Sequence, residues 1–128
     1  MANGKVFRNI FRVSGFRKSF KIALKGIVYL FLYHRNMRII FVTGFLAFIL
    51  GFILKLNGIE LVALCITITI VFVAEIFNTA VELMMDAITE KYHTKIRLVK
   101  DIAAAVVVLA ILNSLAVGYI LFLRKIIK

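Results

Sequence analysis

Three long apolar stretches divide this chain in a way that a soluble fold would not use. Residues 39–54 run for 16 positions without a charged side chain, residues 61–74 carry none, and residues 102–123 run for 22. At 1.5 Å per residue the last stretch reaches about 33 Å, enough to cross a hydrocarbon layer of about 30 Å. The first reaches about 24 Å and needs a few flanking residues to do the same. The pattern predicts transmembrane helices over 39–56, 61–85 and 100–123. Between the first two, residues 55–60 read Lys-Leu-Asn-Gly-Ile-Glu, and the Asn-Gly pair predicts a tight reversal there.

The N-terminal 38 residues are patterned differently. Phe16, Phe20, Ala23, Leu24, Ile27 and Phe31 recur at helical spacing as one stripe, with Lys18, Lys21 and Lys25 on another face. Residues 1–38 hold nine Lys/Arg and no acid. This predicts a basic amphipathic helix lying in a membrane surface. The expected fold is therefore all-α and integral to the membrane, an N-terminal amphipathic surface helix followed by three transmembrane helices in one domain over 1–128.

Charge gives an orientation. Thirteen of the 17 Lys/Arg fall in residues 1–38 and in the 86–101 connection. With three spans these two regions share a side, which the positive-inside rule makes cytoplasmic. The C-terminal Arg124-Lys125-Ile-Ile-Lys128 runs against that rule.

Composition agrees: 63% of the 128 residues are hydrophobic, and the net charge is +11. Nucleic acid is not the expected partner, because the cationic segment also carries the Phe/Leu/Ile stripe. Anionic headgroups and a polyphosphate substrate suit it better. The single cysteine, Cys65, excludes an internal disulfide and is expected to be a small buried hydrophobe.

Against this background the polar stripe at the end of the second span stands out. Glu75, Asn78, Thr79, Glu82 and Asp86 fall within an arc of roughly 100° on one helix. A carboxylate in hydrocarbon costs several kcal/mol, so such groups face a bundle interior, a cation or a water-filled site. Glu75 lies roughly 8 Å inside the expected boundary, Glu82 just outside it and Asp86 in water. Lys100 and Asp101 precede the third span at about the depth of Glu82. Glu75 and Glu82 are about 10 Å apart along the helix, too far for one Mg²⁺ to bind both directly. Glu82 therefore suits a metal ligand, and the partly desolvated Glu75 a general base for a lipid hydroxyl. Lys100 can neutralise phosphate oxygens. No Walker loop or Gly-rich kinase loop is present. Buried polar groups can also simply join helices, the simplest reading of Asn113 and Ser114, and residues 103–105 read as a small-residue helix contact.

The run Glu75-Ile-Phe-Asn78-Thr79-Ala-Val-Glu82, then Asp86, then Glu90-Lys91-Tyr92-His93, then Lys100-Asp101-Ile-Ala-Ala resembles the prokaryotic diacylglycerol kinase / undecaprenol kinase family of small integral-membrane lipid kinases. The resemblance implies transfer of the γ-phosphate of ATP to diacylglycerol, giving phosphatidic acid, or to undecaprenol. It also implies Mg²⁺, a bacterial cytoplasmic (inner) membrane with the N-terminus cytoplasmic, and a homotrimer with active sites shared between subunits. By position Glu75 matches the catalytic base and contacts the lipid substrate with Asn78. Glu82 matches the metal ligand, and Phe16, Glu82, Lys91, Tyr92, His93, Lys100 and Asp101 match ATP-binding positions. Val28 and His34 stand where the diacylglycerol kinase branch carries Glu, and neutral His is a poor Mg²⁺ ligand. That departure keeps a second class of function open, a non-catalytic oligomeric membrane protein or relic of the family.

Overall fold

The computed structural model describes residues 2–88 and 94–127, with side chains placed from residue 15 onward. Every element among them is helical: α1 Ala2–Tyr33, α2 Arg35–Ile53, α3 Gly58–Ile88 and α4 Thr94–Gly118, which continues through a π-helical turn Tyr119–Leu123 into a last turn, α5, Arg124–Ile127. The chain divides into two compact units, Met1–Arg35 and Asn36–Lys128.

The first unit is α1. Its stripe positions Phe16, Phe20, Leu24 and Ile27 are all exposed, and so is Val28, whereas Leu30 is buried. Residues 16–29 are all exposed, the basic positions as well as the apolar ones. The helix stops earlier than expected. His34 is outside it, its backbone N–H donating to the Leu30 carbonyl at 2.9 Å, and its ring sits 5.9 Å from that of Tyr29. The basic residues Arg35 and Arg38 open α2 instead.

In the second unit α2, α3 and the continuous helix Thr94–Ile127 are each long and apolar enough to cross a membrane. All three expected spans are present, with different helical limits. The first ends at Ile53, so residues 54–56 belong to the reversal, while α3 and the continuous helix Thr94–Ile127 extend beyond their spans at both ends.

The reversal is built differently from the Asn-Gly expectation. Lys55 takes the left-handed conformation (φ 58°), while the Leu56 N–H reaches the Gly51 carbonyl at 3.0 Å and the Lys55 N–H the Phe52 carbonyl at 3.1 Å. This is a Schellman ending, with a lysine where glycine is usual. Asn57 then caps α3. Its Oδ1 accepts from the Glu60 N–H at 2.9 Å, and the Glu60 carboxylate accepts from the Asn57 N–H at 3.3 Å. Orphan amides at the helix start are thus satisfied reciprocally, and Gly58 is simply the first helical residue.

The core lies near this reversal, where Leu56, Leu64 and Leu121 are buried against Ala47, Phe48, Leu61, Ile68, Val117 and Phe122. Further along, Phe41 of α2 meets Phe72 of α3 with ring centroids 6.3 Å apart. Thr43, Thr67, Thr69 and Ser114 spend their hydroxyls on carbonyls of their own helices at 2.7–2.8 Å, which lets polar side chains sit inside apolar spans. A cavity of about 340 Å³ remains among α2, α3 and α4, bordered by Gly44, Thr67, Ile68 and Ser114. Two expectations are corrected. Cys65 is exposed rather than buried, because it falls on the outward face of α3. Of residues 103–105 only Ala103 is buried, since three consecutive helical positions cannot share one face.

Candidate active site

One face of the last turns of α3 carries the polar stripe, and burial grades along it. Glu75 and Thr79 are buried at 6% and 3% exposure. Asn78 is half-buried, and Glu82 and Asp86 are exposed. Helical geometry accounts for the alignment: steps of three and four residues keep the stripe on one side while each turn carries it 5.4 Å further. Glu75 is thus a carboxylate held inside the helix pair, where burying its charge is costly unless a partner is supplied.

Asn78 links the buried and exposed parts of the stripe. Its Nδ2 donates to Glu82 Oε1 at 3.4 Å, a long contact, and its Oδ1 is buried without a partner. Buried amide oxygens are rarely left unpaired, so Asn78 is equipped to receive a donor from a ligand. Glu82 is the exposed oxygen donor beside it.

From α4, Lys100 reaches across to Asp86, Nζ to Oδ1 at 2.7 Å, and also feels the negative charge of Glu82. The sequence placed Lys100 at the depth of Glu82; its direct partner is Asp86, one turn further out. Asp86 is legible in the sequence as part of the stripe, but its partner is not. A separation of 14 residues across a connection offers no periodicity from which to read a pair. Asp101 is exposed on α4. Phe16 lies on α1, three-quarters exposed. Lys91, Tyr92 and His93 fall outside the described residues.

The set fits Mg²⁺ in a limited way. Among the described residues no group of three His, Cys, Asp or Glu gathers to hold a metal. Mg²⁺ in phosphoryl-transfer sites is commonly held by one or two carboxylates, with phosphate oxygens and water completing its octahedron. An exposed Glu82 meets that requirement.

A membrane helix pair that holds a buried carboxylate, an exposed carboxylate and an ion-paired lysine at one end defines a polar site at a membrane boundary. Residues 21–122 match the family described as prokaryotic diacylglycerol kinase, and the chain belongs to that family, a multi-pass membrane protein. It is similar to the diacylglycerol kinase of Synechocystis sp. (strain ATCC 27184 / PCC 6803 / Kazusa), with 34% identity over 111 residues covering 86% of this chain and 63% of that protein. It is equally similar to the undecaprenol kinase of Bacillus subtilis (strain 168), with 34% identity over 110 residues covering 86% of this chain and 89% of that one. The chain thus spans a little under two thirds of the length of the first relative.

Proposed function

We propose that this protein is a lipid kinase that transfers the γ-phosphate of ATP to the hydroxyl of a membrane lipid, diacylglycerol or undecaprenol. The observation that carries the reading is the split on α3: Glu75 buried, Glu82 exposed two turns further along the same face. The two curated relatives, one named for each lipid, support both substrates.

In this mechanism Glu75 takes the proton of the lipid hydroxyl as that oxygen bonds to the γ-phosphorus. The bond from the γ-phosphorus to the β-phosphate oxygen breaks, and ADP leaves. Phosphoryl transfer needs positioning and charge neutralisation more than covalent help from the protein. Glu82 would hold Mg²⁺, which would supply that neutralisation together with ATP. Asn78 orients the substrate beside Glu82, and Lys100, steadied by Asp86, faces the phosphates. Phe16, Lys91, Tyr92, His93 and Asp101 complete the nucleotide contacts by family resemblance. The domain is 1–128, in a bacterial cytoplasmic membrane with the N-terminus and the 86–101 connection on the cytoplasmic side, where thirteen of the 17 Lys/Arg then fall.

The working assembly is a homotrimer. Its support is Asn113, which borders an apolar groove of about 730 Å³ between α3 and α4, with Ile70, Val73, Phe77 and Leu109. Among the described residues the Asn113 amide has no hydrogen-bond partner, and lipid tails cannot supply one, so a helix of a second copy suits the groove.

The test is radiolabelled ATP with purified protein and a panel of lipid alcohols, the product identified by chromatography. A labelled lipid that disappears in Glu75→Gln establishes the reading. If no alcohol is labelled while the protein stays folded and oligomeric, the non-catalytic alternative takes its place.

A further inference from the structure

The C-terminal cations that run against the positive-inside rule have a structural context. Glu60 and Glu82 lie 22 residues apart on α3, about 33 Å along the axis, so the two ends of α3 sit at opposite membrane boundaries. At the Glu60 end, Glu60, Ile120, Leu121, Arg124 and Lys125 border a cavity of about 320 Å³. Lys125 Nζ approaches Glu60 Oε1 at 3.5 Å, a distance too long for a strong charge-assisted bond. The Glu60 carboxylate is already engaged by the Asn57 N–H. Among the described residues no carboxylate pairs with Arg124. The cavity therefore holds two cations against one half-committed anion.

Its other wall is apolar and fixed. Leu121 is buried in the core, Ile120 is half exposed, and both lie in the π-helical turn that leads directly into Arg124 and Lys125. Cations beside an apolar wall at the boundary of a span match a phospholipid, whose phosphate meets the charges while its glycerol and first methylenes lie on Ile120 and Leu121.

We infer that this cavity binds the phosphate of an anionic phospholipid, at the end of the second unit opposite the Glu82–Lys100 cluster. The lipid is not the substrate of the proposed reaction. It anchors the end of α4 against the start of α3, and the site stands whether or not the kinase reading does.

The test is native mass spectrometry of the full chain in mild detergent with dioleoyl phosphatidylglycerol or dioleoyl phosphatidylcholine. The wild type is expected to retain phosphatidylglycerol preferentially. Arg124→Gln and Lys125→Gln should each lower that preference about fivefold, the effect of roughly one cation at a lipid surface. Glu60→Gln should raise it, because Gln keeps the reciprocal cap of α3 while removing the anion that competes for Lys125. A purely structural role for the Lys125–Glu60 pair predicts loss in both Lys125→Gln and Glu60→Gln. Lys55→Gln, which removes a cation outside the cavity, should leave the preference unchanged. Equal retention of both lipids by the wild type would overturn the site. Abolition of the preference by millimolar inorganic phosphate would overturn the lipid assignment in favour of a free anion.

Discussion

Lys100 and Asp86 join the start of α4 to the end of α3 through a 2.7 Å contact between Nζ and Oδ1. Both side chains are substantially exposed, 37% and 65%, and exposed pairs contribute only about 0–1 kcal/mol to stability. The pair therefore matters for where it holds the Lys100 ammonium. Lys100→Gln should raise the KM for MgATP by about tenfold or more, as expected for losing a hydrogen bond from a charged group. Asp86→Asn should raise it less, because the ammonium remains but is no longer steadied. The thermal midpoint should stay almost unchanged in both. A large loss of stability with unchanged KM would make the pair a structural strut.

The two carboxylates of the stripe should separate kinetically. Glu75→Gln is expected to lower kcat by about 10²–10⁴, the range for losing a general base, with little change in the KM for MgATP. Glu82→Gln should act mainly on MgATP, raising its KM and the Mg²⁺ concentration needed for half-maximal rate. Steady-state kinetics in mixed micelles, with circular dichroism as the folding control, checks both. Near wild-type rates in the two variants would sink the kinase reading.

The reversal between α2 and α3 shows how much of the fold the sequence made legible. Three spans followed from length and apolarity, because a helix in lipid has no alternative way to satisfy its backbone. The stripe followed from period, since carboxylates in a span are costly enough to be informative one by one. The position of the reversal is legible too, but its chemistry is not. Asn57-Gly58 draws attention as a turn pair, while the left-handed residue is Lys55, which nothing in its type announces. The capping box Asn57-x-x-Glu60 was readable but was masked by the stronger Asn-Gly signal. Lys100–Asp86 was not readable, because it is set by how α3 and α4 pack and not by any local rule.

That assignment makes its own prediction. A non-glycine residue in the left-handed region costs about 1–2 kcal/mol, partly offset by the greater freedom of glycine in the unfolded chain, about 0.5–1 kcal/mol. Lys55→Gly should therefore stabilise the protein slightly, by about 0.5–1 kcal/mol. Asn57→Ala removes the cap acceptor and should cost about 1 kcal/mol. Unfolding midpoints in detergent measure both. If Lys55→Gly destabilised while Asn57→Ala had no effect, the reversal would rest on neither the left-handed Lys55 nor the Asn57 cap.

The approach of α2 to α3 turns on Gly44 and Ile68. A Cβ added at Gly44 would meet Ile68 Cγ2 at 3.0 Å, whereas at Gly51 it would meet Cδ1 of Leu56 at 3.0 Å and Cδ2 of Leu64 at 3.2 Å. The distances are similar but the neighbours differ. A leucine Cδ is the far end of a side chain that can turn away. Ile68 Cγ2 sits on a β-branched carbon with one strongly preferred rotamer in a helix, so it cannot yield without moving the backbone. Gly44→Ala should therefore cost about 1–3 kcal/mol, the range for overpacking, and Gly51→Ala less. The distinguishing variant is the double Gly44→Ala, Ile68→Leu. Leucine has no branch at Cβ, so the clash is removed while the apolar volume is kept. The double variant should recover most of the loss, a coupling read directly from a double-mutant cycle. Val at position 68 keeps Cγ2 and should rescue nothing. Equal rescue by Leu and Val would show that bulk at Ile68, and not its branch, sets the spacing of the two helices.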